Sequence, residues 1–316
     1  IHDSTNTFAD KIINAKKHVT DYVYDLGTGN LLSQVDSNKN IINYSYDVFG
    51  RREKEILPLD SFTYPTKNYT YDFSVTPVKI IIHQRETSGV QGTLYIYQFY
   101  DGFGRLIQTK REAENGNQIV EDIFYDNVSR ISNVSNPYSV NFNNAYTTPN
   151  PGINRIIYGY DALDRITNIT NPDNTKKSIN YDHWIISIYD ENNHRKTYYI
   201  DAYSNTYNVL EHNQQNIYNT SYKYNTSNEL IQIKDSQNNT FNFTYDLLGR
   251  RTKIIDPDLG SWTYTYDNIG NLIQQIDNRN NITIFSYDEL NRAINKNHTL
   301  LENVTYVYDK EKNNTV

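Results

Sequence analysis

The sequence predicts an all-β protein: an array of antiparallel β-hairpins that pair edge to edge into a curved or spiralling sheet. Three observations carry this. Tyr-Asp recurs along the chain, at positions 24, 46, 71, 100, 125, 160, 181, 245, 266, 287 and 308 for the Tyr. A second Asp or Asn falls about halfway between successive pairs, as in Asp246, Asp256 and Asp267. Between these corners, runs such as Trp262-Thr-Tyr264-Thr-Tyr266 alternate bulky residues with small or β-branched ones, a period of two that places each set on one face of a strand. No segment keeps a helical apolar period bounded by caps.

Each stretch can be read in turn. Residues 14–50 hold two compact repeat units. Residues 51–99 are looser, with Pro58, Pro65 and Pro77, and a hairpin is expected between 78–84 and 93–100 around Thr87-Ser88-Gly89. Residues 132–155 form a Pro- and Asn-rich insertion, SNPYSVNFNNAYTTPNPGIN at its centre, expected as an extended loop. Residues 224–309 are strict: Tyr224, Tyr245, Tyr266, Tyr287 and Tyr308 stand 21 apart. Two turns per unit imply two strands per unit, each of about six residues, the usual strand length. The whole of 1–316 therefore reads as one repeat segment, cut within the array at both ends. A chain that begins at Ile1 and contains no Met is expected to be a piece of a longer protein.

The corner itself follows a pattern, Tyr-Asp-x-x-Gly-Arg. It is complete at Tyr46, Asp47, Gly50 and Arg51, at Tyr100, Asp101, Gly104 and Arg105, and at Tyr245, Asp246, Gly249 and Arg250. Variants stand at Tyr160, Asp161 and Arg165, at Tyr266, Asp267 and Gly270, and at Tyr287, Asp288 and Arg292. Asp accepts hydrogen bonds from backbone two residues on, which favours a turn. Gly, or Asn and Asp in its place, tolerates the positive φ expected three residues after the Asp. The following Arg is expected to cover or pair with a neighbouring turn. A surface pair of that kind contributes only about 0–1 kcal/mol, so the sheet must supply most of the stability.

Composition narrows the function classes. Thirty basic against 37 acidic residues give a net charge of −7, which offers no field for nucleic acid. The absence of Cys excludes disulfide scaffolds, thiolate zinc sites and Cys nucleophiles. No apolar run approaches the length of a membrane span, and the first residues lack the apolar centre of a signal peptide.

The segments YDGFGRLIQT, YDALDRITNITNPDNT and YDLLGRRTKIIDPDLGSWTYTYDNIGNLIQQIDNRNN resemble consecutive YD (Rhs) repeats. These occur in bacterial Rhs polymorphic toxins, in the B and C components of insecticidal toxin complexes, and in teneurins. The likeness covers roughly residues 14–310. It implies a hollow β-shell, which in toxin members encloses a C-terminal toxin or effector domain and in teneurins supports adhesion. It also implies a secreted or cell-surface location, although no targeting signal lies in this sequence. No Asp-Pro-x-Gly-Leu core motif is present, so no protease or toxin activity carries over to any residue here.

Three places carry residue types that sharper chemistry could use. Asp36 to Asp47 spaces oxygen ligands like a calcium loop, but Ile41 stands where that loop needs Gly, and the spacing is that of a half-repeat. His183 and His194 lie near Asp182, Asp190, Glu191 and Trp184, where an irregular polar turn explains them. Periodic Asp residues are accounted for by turn chemistry, whereas glycoside hydrolysis needs one special pair. No catalytic, cofactor-binding or metal residue is assigned. The expected role is a structural, non-catalytic shell segment enclosing the parent's effector; the alternative is adhesion through a cell-surface glycan or protein.

Overall fold

In the computed structural model of the chain, residues 2, 7–14, 16–90 and 92–308 are described. Asp309, the partner of Tyr308, lies outside them. The described residues form 27 β-strands and one short 3₁₀ turn, Glu114–Gly116. Every strand pairing for which a register is defined is antiparallel, and most join sequence neighbours. No helix among the described residues is long and apolar enough to cross a membrane.

The chain divides into two compact units. One comprises Ile1–Ile12, Thr20–Ile179 and Tyr189–Asn193; the other comprises Ile13–Val19, Asn180–Ile188 and His194–Val316. In the first, Val78–Arg85 pairs with Thr93–Tyr100, which pairs with Leu106–Glu112, which pairs with Asn117–Tyr125. Thr93–Tyr100 and its partner meet across the Thr87-Ser88-Gly89 region, where Gly89 has φ +76°. The second unit is a plain meander from Arg195–Ile200 to Val304–Thr305.

The corners show why the repeat has its residues. At Asp246, Oδ1 accepts the N–H of Leu248 and of Arg250, both at 2.9 Å. Arg250 Nε donates to the second oxygen at 2.7 Å, and its Nη1 donates to the Asp267 carbonyl of the next corner at 2.8 Å. Arg51, Arg105, Arg165 and Arg292 likewise bond Asp47, Asp101, Asp161 and Asp288 through Nε. The guanidinium then lies over the Tyr of a following unit: Arg51 over Tyr71 at 4.4 Å, Arg105 over Tyr125 at 4.5 Å, Arg292 over Tyr308 at 4.4 Å. The Arg thus closes its own corner and reaches the next one.

Most of the repeat Tyr residues add a tie that the pattern alone does not announce. At Tyr46, Tyr245, Tyr266 and Tyr287 the register slips by one residue just before the Tyr, and the hydroxyl donates back across the sheet. Tyr46 bonds the Leu31 carbonyl at 2.9 Å, Tyr245 that of Leu230 at 2.7 Å, Tyr266 that of Arg251 at 2.8 Å and Tyr287 that of Leu272 at 2.8 Å. Tyr160 bonds Ile131 at 2.7 Å, while Tyr100 turns instead to the Gln98 side chain at 3.0 Å. Cross-strand partners of these Tyr residues vary: Leu106, Ile166 and Leu272 are apolar, but Arg52, Arg251 and Ala293 also occur.

Third after the corner Asp, φ is positive at Gly50 (+76°), Gly104 (+75°), Gly249 (+75°), Gly270 (+99°), Asp164 (+61°) and Asn291 (+63°). A β-branched residue in this region costs about 1–3 kcal/mol, and a Cβ at Gly249 would also stand 3.1 Å from Glu229 Oε1. Gly249→Val is therefore expected to lower the urea midpoint clearly. Leu247→Val, at an exposed corner position, should stay within about 0.5 kcal/mol of the parent. Equal midpoints for the two variants would refute the corner assignment.

The corner carboxylates of Asp47, Asp101, Asp126, Asp161, Asp246 and Asp288 are held below the ordinary range. For Asp246 the leading cause is the Arg250 N–H, with partial desolvation opposing and the Arg250 side chain assisting. At Asp267 desolvation pulls upward, but Lys16 and the N–H groups of Asn271 and Ile269 outweigh it, bringing the carboxyl to about 2. A depressed folded pKa contributes stability above the unfolded value of about 3.9, lost as pH falls through the folded value. The melting midpoint should hold near neutral pH and decline progressively below about pH 4. A midpoint unchanged from pH 5 to pH 2 would contradict this.

Candidate functional site: a polar cluster under a strap

The deepest burial in the first unit lies on one face of three adjacent strands. Alternation puts Tyr97 and Phe99, then Gln108 and Lys110, then Gln118, Val120 and Asp122 on this face. Register aligns them in rows: Tyr97 opposite Lys110 opposite Val120, and Phe99 opposite Gln108 opposite Asp122. Lys110, Gln108, Gln118 and Val120 have no exposed surface at all. Polar side chains so placed demand partners, since an unpaired buried polar group costs about 1–3 kcal/mol.

The insertion supplies most of them. Residues 132–155, expected as an extended loop, are built into the sheet and across it. Ile131–Ser135 and Tyr138–Asn141 both run antiparallel to Asn117–Tyr125, the first beside its C-terminal half and the second beside its N-terminal half. Pro137 stands at the break between them, where a residue without an N–H interrupts the ladder. The chain from Phe142 to Thr147 then crosses the buried face as a strap. The physical reason is that Tyr138, Phe142 and Tyr146 bring aromatic surface for which the sheet below provides Tyr97 and Phe99: Phe99 meets Tyr146 at 5.7 Å and Tyr97 meets Phe142 at 6.1 Å, both edge to face.

Polar contacts fix the strap. The Lys110 ammonium donates to Asn143 Oδ1 at 2.7 Å, to the Ala145 carbonyl at 2.5 Å and to Thr147 Oγ1 at 2.5 Å. Gln108 holds both sides of Thr147, donating to its carbonyl at 2.7 Å and accepting its N–H at 3.0 Å. Gln108 also donates to Asp122 Oδ1 at 2.7 Å, while Tyr138 donates to Asp122 Oδ2 at 2.9 Å. Gln118 accepts the Asn143 N–H at 3.1 Å, and Lys79 donates to the Asn144 carbonyl at 3.2 Å. Burial pulls the Lys110 ammonium down to about 8, against the field of Asp122. Burial, and then the bond to Asp122, push the Tyr138 hydroxyl up to about 12.

None of the corner residues named from the repeat enters this cluster. They are spread along the turns, from Asp47 to Arg292, and build a scaffold. His183 and Asp182 do meet, Nδ1 to Oδ1 at 2.7 Å, but both are largely exposed in a tight turn where His183 has φ +52°. Asp36, the first oxygen of the calcium-like spacing, is a corner that accepts the N–H groups of Asn38 and Asn40. Among the described residues no group of three or more His, Cys, Asp or Glu side chains is arranged to hold a metal. The signal that could have revealed the cluster is Gln108-x-Lys110 and Gln118-x-Val120-x-Asp122, where polar residues occupy the face that the strand period assigns to the interior.

Fold and corners together define a repeat protein in which Asp-cornered hairpins are laced edge to edge. Residues 224–259 match the family model for the RHS Repeat, the YD type of repeat. No curated protein matches the chain by sequence. Among solved structures, TcdB2-TccC3 superposes with a TM-score of 0.71 at 16% identity, over 95% of this chain and 19% of that one. The Photorhabdus luminescens Tc holotoxin pore, solved with mutant TccC3, gives 0.69 at 13% identity, over 96% of this chain and 21% of that one. The chain thus spans about a fifth of the structures it resembles and shares the fold of that part.

Proposed function

We propose that this chain is a structural, non-catalytic segment of the wall of an Rhs-type secreted or cell-surface protein, whose work is to enclose a C-terminal toxin or effector domain of its parent. The observation that supports this most directly is the lacing itself. Corner after corner is spent on joining one unit to the next, through Arg on Tyr and Tyr on a neighbouring carbonyl. The fold shared with Tc toxin structures over nearly the whole chain agrees with that reading. Limited proteolysis of the complete parent protein tests it. The domain following the array should resist protease while the array is intact and become sensitive when the array is destabilised. Equal sensitivity in both states would overturn the enclosure role.

A second reading, adhesion, has one feature in its favour. In the second unit Tyr203 and Tyr207 line a groove of about 580 Å³ with Asp201, Asn205 and Asn228, and Tyr203 is 80% exposed. Tyrosine rings beside amides suit a saccharide. Glycan-array binding by this chain would favour adhesion over enclosure.

A further inference from the structure

The strap cluster holds a nucleophile and an electrophile face to face. Lys110 is wholly buried, and its Nζ meets three acceptors on the strap. Two of these, a backbone carbonyl and a hydroxyl, are chemically inert toward an amine here. The third is Oδ1 of a primary carboxamide, Asn143, at 2.7 Å, and a carboxamide can release its nitrogen as ammonia. The setting suits that exchange. The ring of Phe99, 1% exposed, lies 5.8 Å from Nζ, and Tyr146 and Tyr97 complete an aromatic wall. Asp122, also 1% exposed, sits on the neighbouring strand and the same sheet face. Asn143 itself is exposed, and its Nδ2 points away from the lysine to the Asn141 carbonyl at 3.3 Å, so the leaving nitrogen has water beside it.

We propose that Lys110 and Asn143 condense to an intramolecular isopeptide bond that fastens the strap covalently to the sheet. The neutral amine attacks Cγ of Asn143; the Nζ–Cγ bond forms and the Cγ–Nδ2 bond breaks. One amine hydrogen leaves with Nδ2 as ammonia, and the proton first shed by the Lys110 ammonium converts that ammonia to ammonium. No oxidant or cofactor enters the balance. Asp122 is a positioning residue: its charge offsets the positive charge that grows on Nζ during attack, and Gln108 and Tyr138 hold it in place. Burial, by bringing the lysine to about 8, makes the neutral amine accessible near neutral pH.

Intact-mass spectrometry of the full chain tests this. The purified protein should weigh about 17 Da less than its sequence, the mass of one ammonia. Tryptic digestion should give a branched peptide joining the Lys110 and Asn143 segments, with no cleavage after Lys110. Lys110→Met and Asn143→Ala should each restore the full sequence mass, and Asp122→Asn should leave a fraction unreacted after the parent is complete. A parent chain at full sequence mass would overturn the proposal. So would a loss confined to one linear peptide, as an Asn succinimide produces.

Discussion

Lys110→Ala is expected to destabilise the first unit by about 3–5 kcal/mol, the range seen when one member of a buried charged network is removed. The substitution removes Nζ from its place against Asn143, Ala145 and Thr147 at once. It also opens space beneath the strap, which cannot collapse while Gln108 still holds Thr147. Urea denaturation gives the magnitude, and hydrogen exchange at residues 142–147 gives the location. Faster exchange there, with Thr240–Tyr245 in the second unit unaffected, is the expected pattern. A midpoint within about 0.5 kcal/mol of the parent would show that Lys110 does not secure the strap.

Phe99→Ala should cost about as much, roughly 3–5 kcal/mol, by removing the largest fully buried side chain and leaving a cavity under Tyr146. Phe103, four residues on at the adjoining corner, is the matched comparison. It is 85% exposed, so Phe103→Ala should change stability by no more than about 0.5 kcal/mol. Two phenylalanines of one hairpin thus differ several-fold in what they contribute. Comparable losses for both would mean that the strap does not seal this face.

Much of the fold was legible because it is local. Asp, a positive-φ residue and Arg or Asn recur at fixed offsets, and each acts within five residues, so spacing alone exposes them. At Asp246 and Asp288 the side chain accepts the N–H groups two and four residues on, the bonds that Asp chemistry implies at such a spacing. What spacing could not convey is any contact between distant positions. Tyr245 reaching back to Leu230 depends on the register slip beside it, and the repeat does not encode how far the hydroxyl extends. The strap was the least legible. The insertion that holds it is rich in Asn and carries Pro137, Pro149 and Pro151, the usual marks of a loop, and only the sheet beneath makes Asn143 and Thr147 necessary. The role of Arg was half visible: a neighbouring turn was expected as its partner, but the guanidinium closes its own corner as well as reaching the next.

The tyrosine hydroxyl ties have a consequence for how such proteins can change over generations. Each tie spans only to a neighbouring hairpin, so a unit can lengthen or acquire an appendage without renegotiation elsewhere. The strap is such an appendage: it lies between Ile131–Ser135 and Arg155–Tyr160, which pair with each other. An architecture stitched this way tolerates growth at any seam, and new chemistry can be added there while the older fabric stays intact.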